Sequence, residues 1–205
     1  MKVVPRNRRL GILLSGRGSN FEAIAASIDA DRLDAKIAVV ISNVESAPGL
    51  ARARERGLNA MCIPSRGKAR EQFDAELVDA LTNADVGLVV LAGFMRIFSG
   101  IFTSAFPNLI LNIHPALLPS FPGLHVQQQA LDYGVKFSGC TVHIVDGILD
   151  GGPIVHQAVV PVLDNDAEET LSARILVEEH RIYTEAIDRI LSGTCEIHGR
   201  RVTFQ

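Results

Sequence analysis

Asn112-Ile113-His114-Pro115 closes one apolar run, and the turn Asp150-Gly151-Gly152-Pro153 opens 36 residues after the histidine. An amide, an imidazole and a carboxylate are the groups an acyl-type transfer needs. The amide holds a developing oxyanion, the imidazole moves a proton, and the carboxylate favours the imidazolium by attraction. Asn112 and His114 are two residues apart, so on a strand both side chains leave the same face. Pro115 disfavours helix for the residue before it and ends the strand there. Two plainer readings stand beside this one. The pair could be a hydrogen-bonded polar couple at a strand end, and Asp150, in the loop Asp146–Gly152, could simply satisfy backbone N–H groups.

A second candidate is Ser15-Gly16-Arg17-Gly18-Ser19-Asn20, between an apolar strand and a helix-period segment. Glycines allow a tight turn and a close ligand approach, and a helix N-terminus offers free N–H groups and a positive dipole end, which suit a phosphate. The loop lacks the Lys-Ser/Thr ending of a P-loop, and Phe21 stands where a dinucleotide fingerprint needs its third glycine. A monophosphate fits better than ATP or NAD. The alternative is a capping box between Ser19 and Glu22, with the glycines only making a turn.

Further along, Gly93-Phe94-Met95-Arg96-Ile97-Phe98 follows another strand end. Its apolar bulk could line a pocket for a flat heterocycle, or start a helix packed on the core. In the last helix-period segment Leu171, Ile175, Ile182, Ala186 and Ile190 share one arc at about 100° per residue, and Glu179 falls inside it. A carboxylate on a buried face needs a partner, unless it snorkels to solvent. His180 lies nearer the edge of that arc. His143, within a strand, reads as packed or supporting, and His125 as part of a mobile loop facing substrate.

The elements that must position these groups follow from the apolar pattern. Strands are predicted at Leu10–Ser15, Ile37–Ser42, Ala60–Ile63, Val86–Ala92 and Leu109–His114. Helices are predicted at Asn20–Ile28, from about Ala47 to Arg56, and through Phe73, Leu77 and Leu81. Strands apolar on both faces and separated by single helices mean a parallel sheet covered on both sides, here a doubly wound α/β fold. Ligands then bind at the carboxyl edge of the strands. Beyond Pro122 the pattern predicts a helix over Leu124–Tyr133 and two antiparallel strands, Ser138–Val145 and Ile154–Val162. A long helix follows, capped by Asp166 and Glu169 and stopped at Ser192-Gly193, and then two short strands around His198-Gly199-Arg200. We expect one domain over 1–205, with 1–9 a flexible basic extension carrying Lys2, Arg6, Arg8 and Arg9.

A net charge of −3 argues against a nucleic-acid surface. No stretch approaches a membrane span, and the run Leu10–Leu14 is too short for a signal peptide. Three cysteines, odd in number and far apart, suit reduced thiols in a cytoplasmic protein. The six histidines show no zinc-ligand spacing, so no metal is expected.

Taken together, several segments resemble the phosphoribosylglycinamide formyltransferase family, folate-dependent enzymes of purine synthesis. They are Gly16–Asn20, Ile41-Ser42-Asn43, Leu91–Ile97, Asn112–Pro119, Phe121–His125 and Asp150–Pro153, spread over about residues 10 to 191. The resemblance implies Asn112, His114 and Asp150 as the catalytic set. It places the substrate phosphate on Gly18, Ser19 and Asn20, with Phe21 and Glu22 adjoining, and the substrate ribose on Glu179. It places folate along Met95, Arg96, Ile97 and Phe98, near the Val145–Asp150 loop, with Arg70 and Asn112 also meeting it. The implied substrates are 5'-phosphoribosylglycinamide and 10-formyltetrahydrofolate, handled by a cytoplasmic monomer or homodimer. The chain departs from the pattern in its N-terminal extension, at Arg17 and at Gln127, none of which touches the proposed chemistry.

Three rivals share features. A formyltetrahydrofolate deformylase uses the same three residues with water as attacker, but usually carries an extra N-terminal domain. A methionyl-tRNA formyltransferase usually adds a C-terminal RNA-binding domain. A non-catalytic phosphate-binding module could use the same fold.

Overall fold

A computed structural model describes residues 1–205. In chain order the elements are β1 (Lys2–Val3), β2 (Arg9–Leu14), α1 (Ser19–Asp29), β3 (Lys36–Ser42), α2 (Pro48–Glu55), β4 (Ala60–Cys62), α3 (Arg70–Asn83) and β5 (Leu88–Leu91). They continue with α4 (Gly100–Ala105), β6 (Ile110–His114), α5 (Val126–Tyr133), β7 (Phe137–Ile144), β8 (Ile154–Pro161), α6 (Glu168–Leu191), β9 (Cys195–His198) and β10 (Arg201–Phe204). One sheet holds all ten strands in the order β1-β9-β10-β8-β7-β6-β5-β2-β3-β4.

The half from β6 to β4 is parallel throughout. Its strands β2, β3 and β5 are buried on both faces, because helices cover each side. Residues of α1, α2, α5 and α6 pack on one face and those of α3 and α4 on the other. This is the doubly wound fold the apolar runs predict. The antiparallel addition is also where it was expected, with β7 pairing β6 and β8 pairing β7 in that sense.

The chain leaves β2 toward β3 on one side and returns with β5 on the other side. The loops after β2 and β5 therefore diverge and open a crevice at the carboxyl edge of the sheet. Across it, Ser15 N–H donates to the Gly93 carbonyl at 3.0 Å.

Two expectations need correction. Residues 1–9 are not a flexible extension. β1 pairs with β9, Val3 is 2% exposed, and the Met1 ammonium donates to the Ile197 carbonyl at 2.8 Å. The basic residues are anchored too: Arg6 pairs with Asp85, Arg8 with Asp188, and Arg9 donates to the Ala84 carbonyl. The partners lie far along the chain, so no local pattern announces them. The start of α6 also differs. Asp166 lies outside the helix, where its carboxylate accepts from Leu163 N–H, the Thr170 hydroxyl and both Arg174 terminal nitrogens. Asp166 and Glu169 therefore form no capping box. Instead the Thr170 hydroxyl accepts from Ala167 N–H at 3.0 Å.

Candidate active site

The glycine loop follows β2 and leads into α1. Gly18 is the N-cap residue, left-handed at φ 73°, and no side chain caps the helix. Glu22 N–H makes the first helical bond, to Gly18 O. The N–H groups of Ser19, Asn20 and Phe21 thus stay open at the positive end of the helix, the arrangement that holds an anion. The Ser19–Glu22 capping box does not form. Glu22 adjoins these three residues but adds no fourth open donor, because its N–H is spent in the helix and its carboxylate pairs with Arg56 at 3.1 Å. Phe21 offers only its N–H, since its side chain is fully buried in the core.

The loop is held from behind by a glycine-to-glycine contact. A Cβ on Gly18 would come within 2.9 Å of Gly49 Cα, and a Cβ on Gly49 within 3.0 Å of Gly18 Cα. Gly49 N–H donates to Gly16 O at 3.0 Å. Arg52 adds a further bond, to Arg17 O at 2.6 Å.

Glu179 lies in the buried arc of α6, as the helical pattern predicts, and is 8% exposed. Its partner is Asn20, whose amide nitrogen donates to Glu179 Oε2 at 2.8 Å. Burial pushes the Glu179 carboxyl above its ordinary range, with the Asn20 bond opposing. Asn20 Oδ1 is buried with no protein partner. One amide therefore ties the helix N-terminus to the carboxylate and keeps an acceptor in reserve.

Asn112 and His114 occupy one face of β6, facing β7 in the pairs Asn112–His143 and His114–Thr141. The loop between β7 and β8 folds back over this face and brings Asp150 to both imidazoles. Asp150 Oδ2 is 3.6 Å from His114 Nδ1, and Oδ1 is 3.7 Å from His143 Nε2. All three side chains are at most 8% exposed. His114 Nε2 is 2.8 Å from the Phe121 carbonyl. A carbonyl only accepts, so this nitrogen carries a proton. Asp150 Oδ2 also accepts from Gly123 N–H at 2.9 Å.

Three non-glycine residues around His114 are left-handed: Asp150 at φ 49°, Phe121 at 51° and His125 at 55°. For a bulky residue such as Phe121 this conformation is strained, and strain of this kind gathers at functional sites.

The Gly93–Ser99 segment follows β5 as an irregular loop rather than a helix start; α4 begins only at Gly100. Met95 and Ile97 are 67% and 58% exposed, whereas Phe94 and Phe98 turn inward and stack with ring centroids 5.5 Å apart. Arg96 is exposed, and so is Arg70 at the first turn of α3. Neither guanidinium has a protein partner, which leaves both open to an anionic group.

Several supporting residues escaped the sequence reading. Thr141 donates to the Ala116 carbonyl and accepts Leu118 N–H and the Gln157 amide, pinning the turn just after His114. The Tyr183 hydroxyl reaches the carbonyls of Leu91 and Leu111, at 3.0 and 2.9 Å, and ties β5 to β6 beneath the crevice. The buried Asp74 accepts Ser99 N–H at 2.5 Å and fixes the far end of the Gly93–Ser99 segment. Tyr183 lies in α6 and Asp74 in α3, and nothing in the local helical period singles either of them out. Their partners are set by tertiary packing.

Residues 8–187 match the Formyl transferase family model. The chain is 42% identical over 188 residues to phosphoribosylglycinamide formyltransferase of Escherichia coli, covering 91% of this chain and 89% of that protein. It superposes on glycinamide ribonucleotide transformylase 1 from Symbiobacterium toebii with TM-score 0.94 at 50% identity, covering 97% of this chain and 94% of the other. It is 44% identical over 195 residues to the trifunctional purine biosynthetic protein adenosine-3 of Drosophila melanogaster, where it covers 94% of this chain but spans only 14% of the relative's length. With the crevice, the open helix N-terminus and the Asn112–His114–Asp150 cluster in place, these likenesses mean that the chain belongs to the formyl transferase family, in its phosphoribosylglycinamide formyltransferase branch.

Proposed function

We propose that this protein transfers the formyl group of 10-formyltetrahydrofolate to the amine of 5'-phosphoribosylglycinamide, and that residues 1–205 act as one formyltransferase unit. The observation that carries the reading is the meeting of Asn112, His114 and Asp150 between an open helix N-terminus and an exposed apolar segment. The substrate phosphate accepts from the N–H groups of Ser19, Asn20 and Phe21 beside Gly18, and its ribose hydroxyls reach Glu179. Folate lies along Met95, Arg96, Ile97 and Phe98, beside the Val145–Asp150 loop, with Arg70 within reach of its carboxylates. The three free cysteines suit the reducing cytoplasm. No helix is long and apolar enough to cross a membrane.

The amine attacks the formyl carbon and a tetrahedral intermediate forms. The remaining N–H of the Asn112 amide and the Nε2–H of His114 converge on its oxyanion. To do so, His114 exchanges the Phe121 carbonyl for the formyl oxygen. His114 acts here as the imidazolium, and Asp150, facing its Nδ1, stabilises that charge by attraction. The C–N bond to folate then breaks, the departing folate nitrogen takes up a proton, and the attacking amine loses one through a water held by Asp150 and His114. The products are formylglycinamide ribonucleotide and tetrahydrofolate.

The test is to mix protein, ribonucleotide and formyl-folate and follow folate absorbance. Amine-dependent release of tetrahydrofolate is expected. Release without the amine would assign a deformylase, and no release would leave a phosphate-binding module. Asn112→Ala should lower kcat by about 10²–10³-fold with substrate binding nearly unchanged.

A further inference from the structure

Ser15 stands between the two loops of the crevice and grips both. Its N–H donates to Gly93 O at 3.0 Å, and its hydroxyl accepts Met95 N–H at 2.8 Å. The hydroxyl proton is committed elsewhere, to Asn43 Oδ1 at 2.6 Å, and Asn43 in turn donates to Ser65 Oγ at 3.2 Å. Asn43 thus fixes the direction of the hydroxyl and leaves its lone pair aimed at Met95. On the other side Ser15 continues directly into Gly16, whose carbonyl accepts Gly49 N–H, and Gly49 packs on Gly18. The exposed Met95 and Ile97 have no comparable hold until Ser99 reaches Asp74.

We propose that Ser15 is a positioning residue that couples the two substrate sites, so that ribonucleotide on the glycine loop raises the affinity of the Met95–Phe98 segment for folate. The inference rests on the assignment of those two loops made above. An anion on the open N–H groups restricts the glycine loop. Through the Ser15 hydroxyl the same restriction reaches Met95, so folate gives up less conformational freedom on binding. By linkage the effect is reciprocal, and folate tightens the ribonucleotide by the same factor.

The experiment is calorimetric titration of tetrahydrofolate with and without saturating 5'-phosphoribosylglycinamide. Wild type, Ser15→Ala and Ser15→Thr are compared, with thermal melts as the check on folding. Met95 N–H is exposed enough to turn to water in the alanine variant, so a cooperative melt is expected. Ser15→Cys, nearly isosteric with a weak acceptor, replaces it if the melt is lost. In wild type the ribonucleotide should tighten folate by about fivefold or more. Ser15→Ala should bring that ratio to about one, and Ser15→Thr, which keeps the acceptor, should restore it. A wild-type ratio of one, or an alanine variant with the wild-type ratio, overturns the coupling while leaving the functional assignment standing. Failure of both ligands to bind wild type overturns the assignment and the coupling with it.

Discussion

The Asn112 amide nitrogen lies 3.1 Å from His143 Nε2, on the neighbouring antiparallel strand. His143 Nδ1 faces the Ile144 carbonyl at 3.3 Å, and burial holds this imidazole below its ordinary range. A neutral ring with its proton on Nδ1 accepts from Asn112 at Nε2 and fixes which way the amide points. The amide keeps its second N–H for the reacting oxygen.

His143→Leu should therefore lower kcat by about tenfold, or roughly 1.4 kcal/mol of transition-state stabilisation, with both KM values nearly unchanged. His143→Gln, which retains an acceptor for Asn112, should recover part of the loss. Stability carries a pH signature as well. The folded state takes up a proton at His143 less readily than the unfolded chain does. Wild type should accordingly lose stability as pH falls below about 6.5. Urea melts across that range should show a flatter dependence for His143→Gln, and identical slopes would refute this role.

Glu179 sets stability against binding. Its carboxyl is raised by burial, so the folded state holds the proton longer than the unfolded chain. That contribution is complete below the ordinary carboxylate range and is lost as pH rises through the folded value. Glu179→Gln, which can still accept from Asn20, should be at least as stable as wild type at neutral pH. The same variant should raise the ribonucleotide KM by about 10–100-fold, the value of a hydrogen bond to a charged group, about 1.5–3 kcal/mol. Melting curves and ribonucleotide titrations on one preparation check both halves.

Gly49 never touches substrate in the proposed arrangement, yet its replacement should act on the phosphate site. An alanine Cβ would meet Gly18 Cα and Leu14 Cδ2 at 3.0 Å and Gly16 O at 3.1 Å. Two of these neighbours are backbone and yield only by moving the loop. Gly49→Ala should cost about 1–3 kcal/mol of stability and raise the ribonucleotide KM selectively. An equal rise in the folate KM would show general loosening instead.

The N-terminal strand makes a prediction of its own. Val3 is buried at the sheet edge against β9, and burying a side chain of this size contributes about 1.5–3 kcal/mol. Val3→Ser should lower Tm by roughly 2–4 °C for each kcal/mol lost in a chain of this length. A variant with unchanged Tm would mean that β1 is dispensable.

By itself, the sequence determined the doubly wound sheet, the strand carrying Asn112 and His114 on one face, the glycine turn before α1, and the anomalous Glu179. Each of these is a local property, set by apolar period, by glycine and proline placement, or by two residues sharing a strand face. That the N-terminus of α1 is uncapped came from the structure. Tertiary structure decided the pairings. It carried Asp150 back over β6 to His114, gave Glu179 its partner in Asn20, and set His143 behind Asn112. It also anchored the basic N-terminal residues, with Lys2–Val3 pairing β9 as an edge strand, and gave Glu22 its partner in Arg56. Such contacts join residues far apart in the chain, and their energy depends on distances that spacing along the sequence does not encode. The residue types announced the chemistry, while the sheet and its returning loops decided which of them meet.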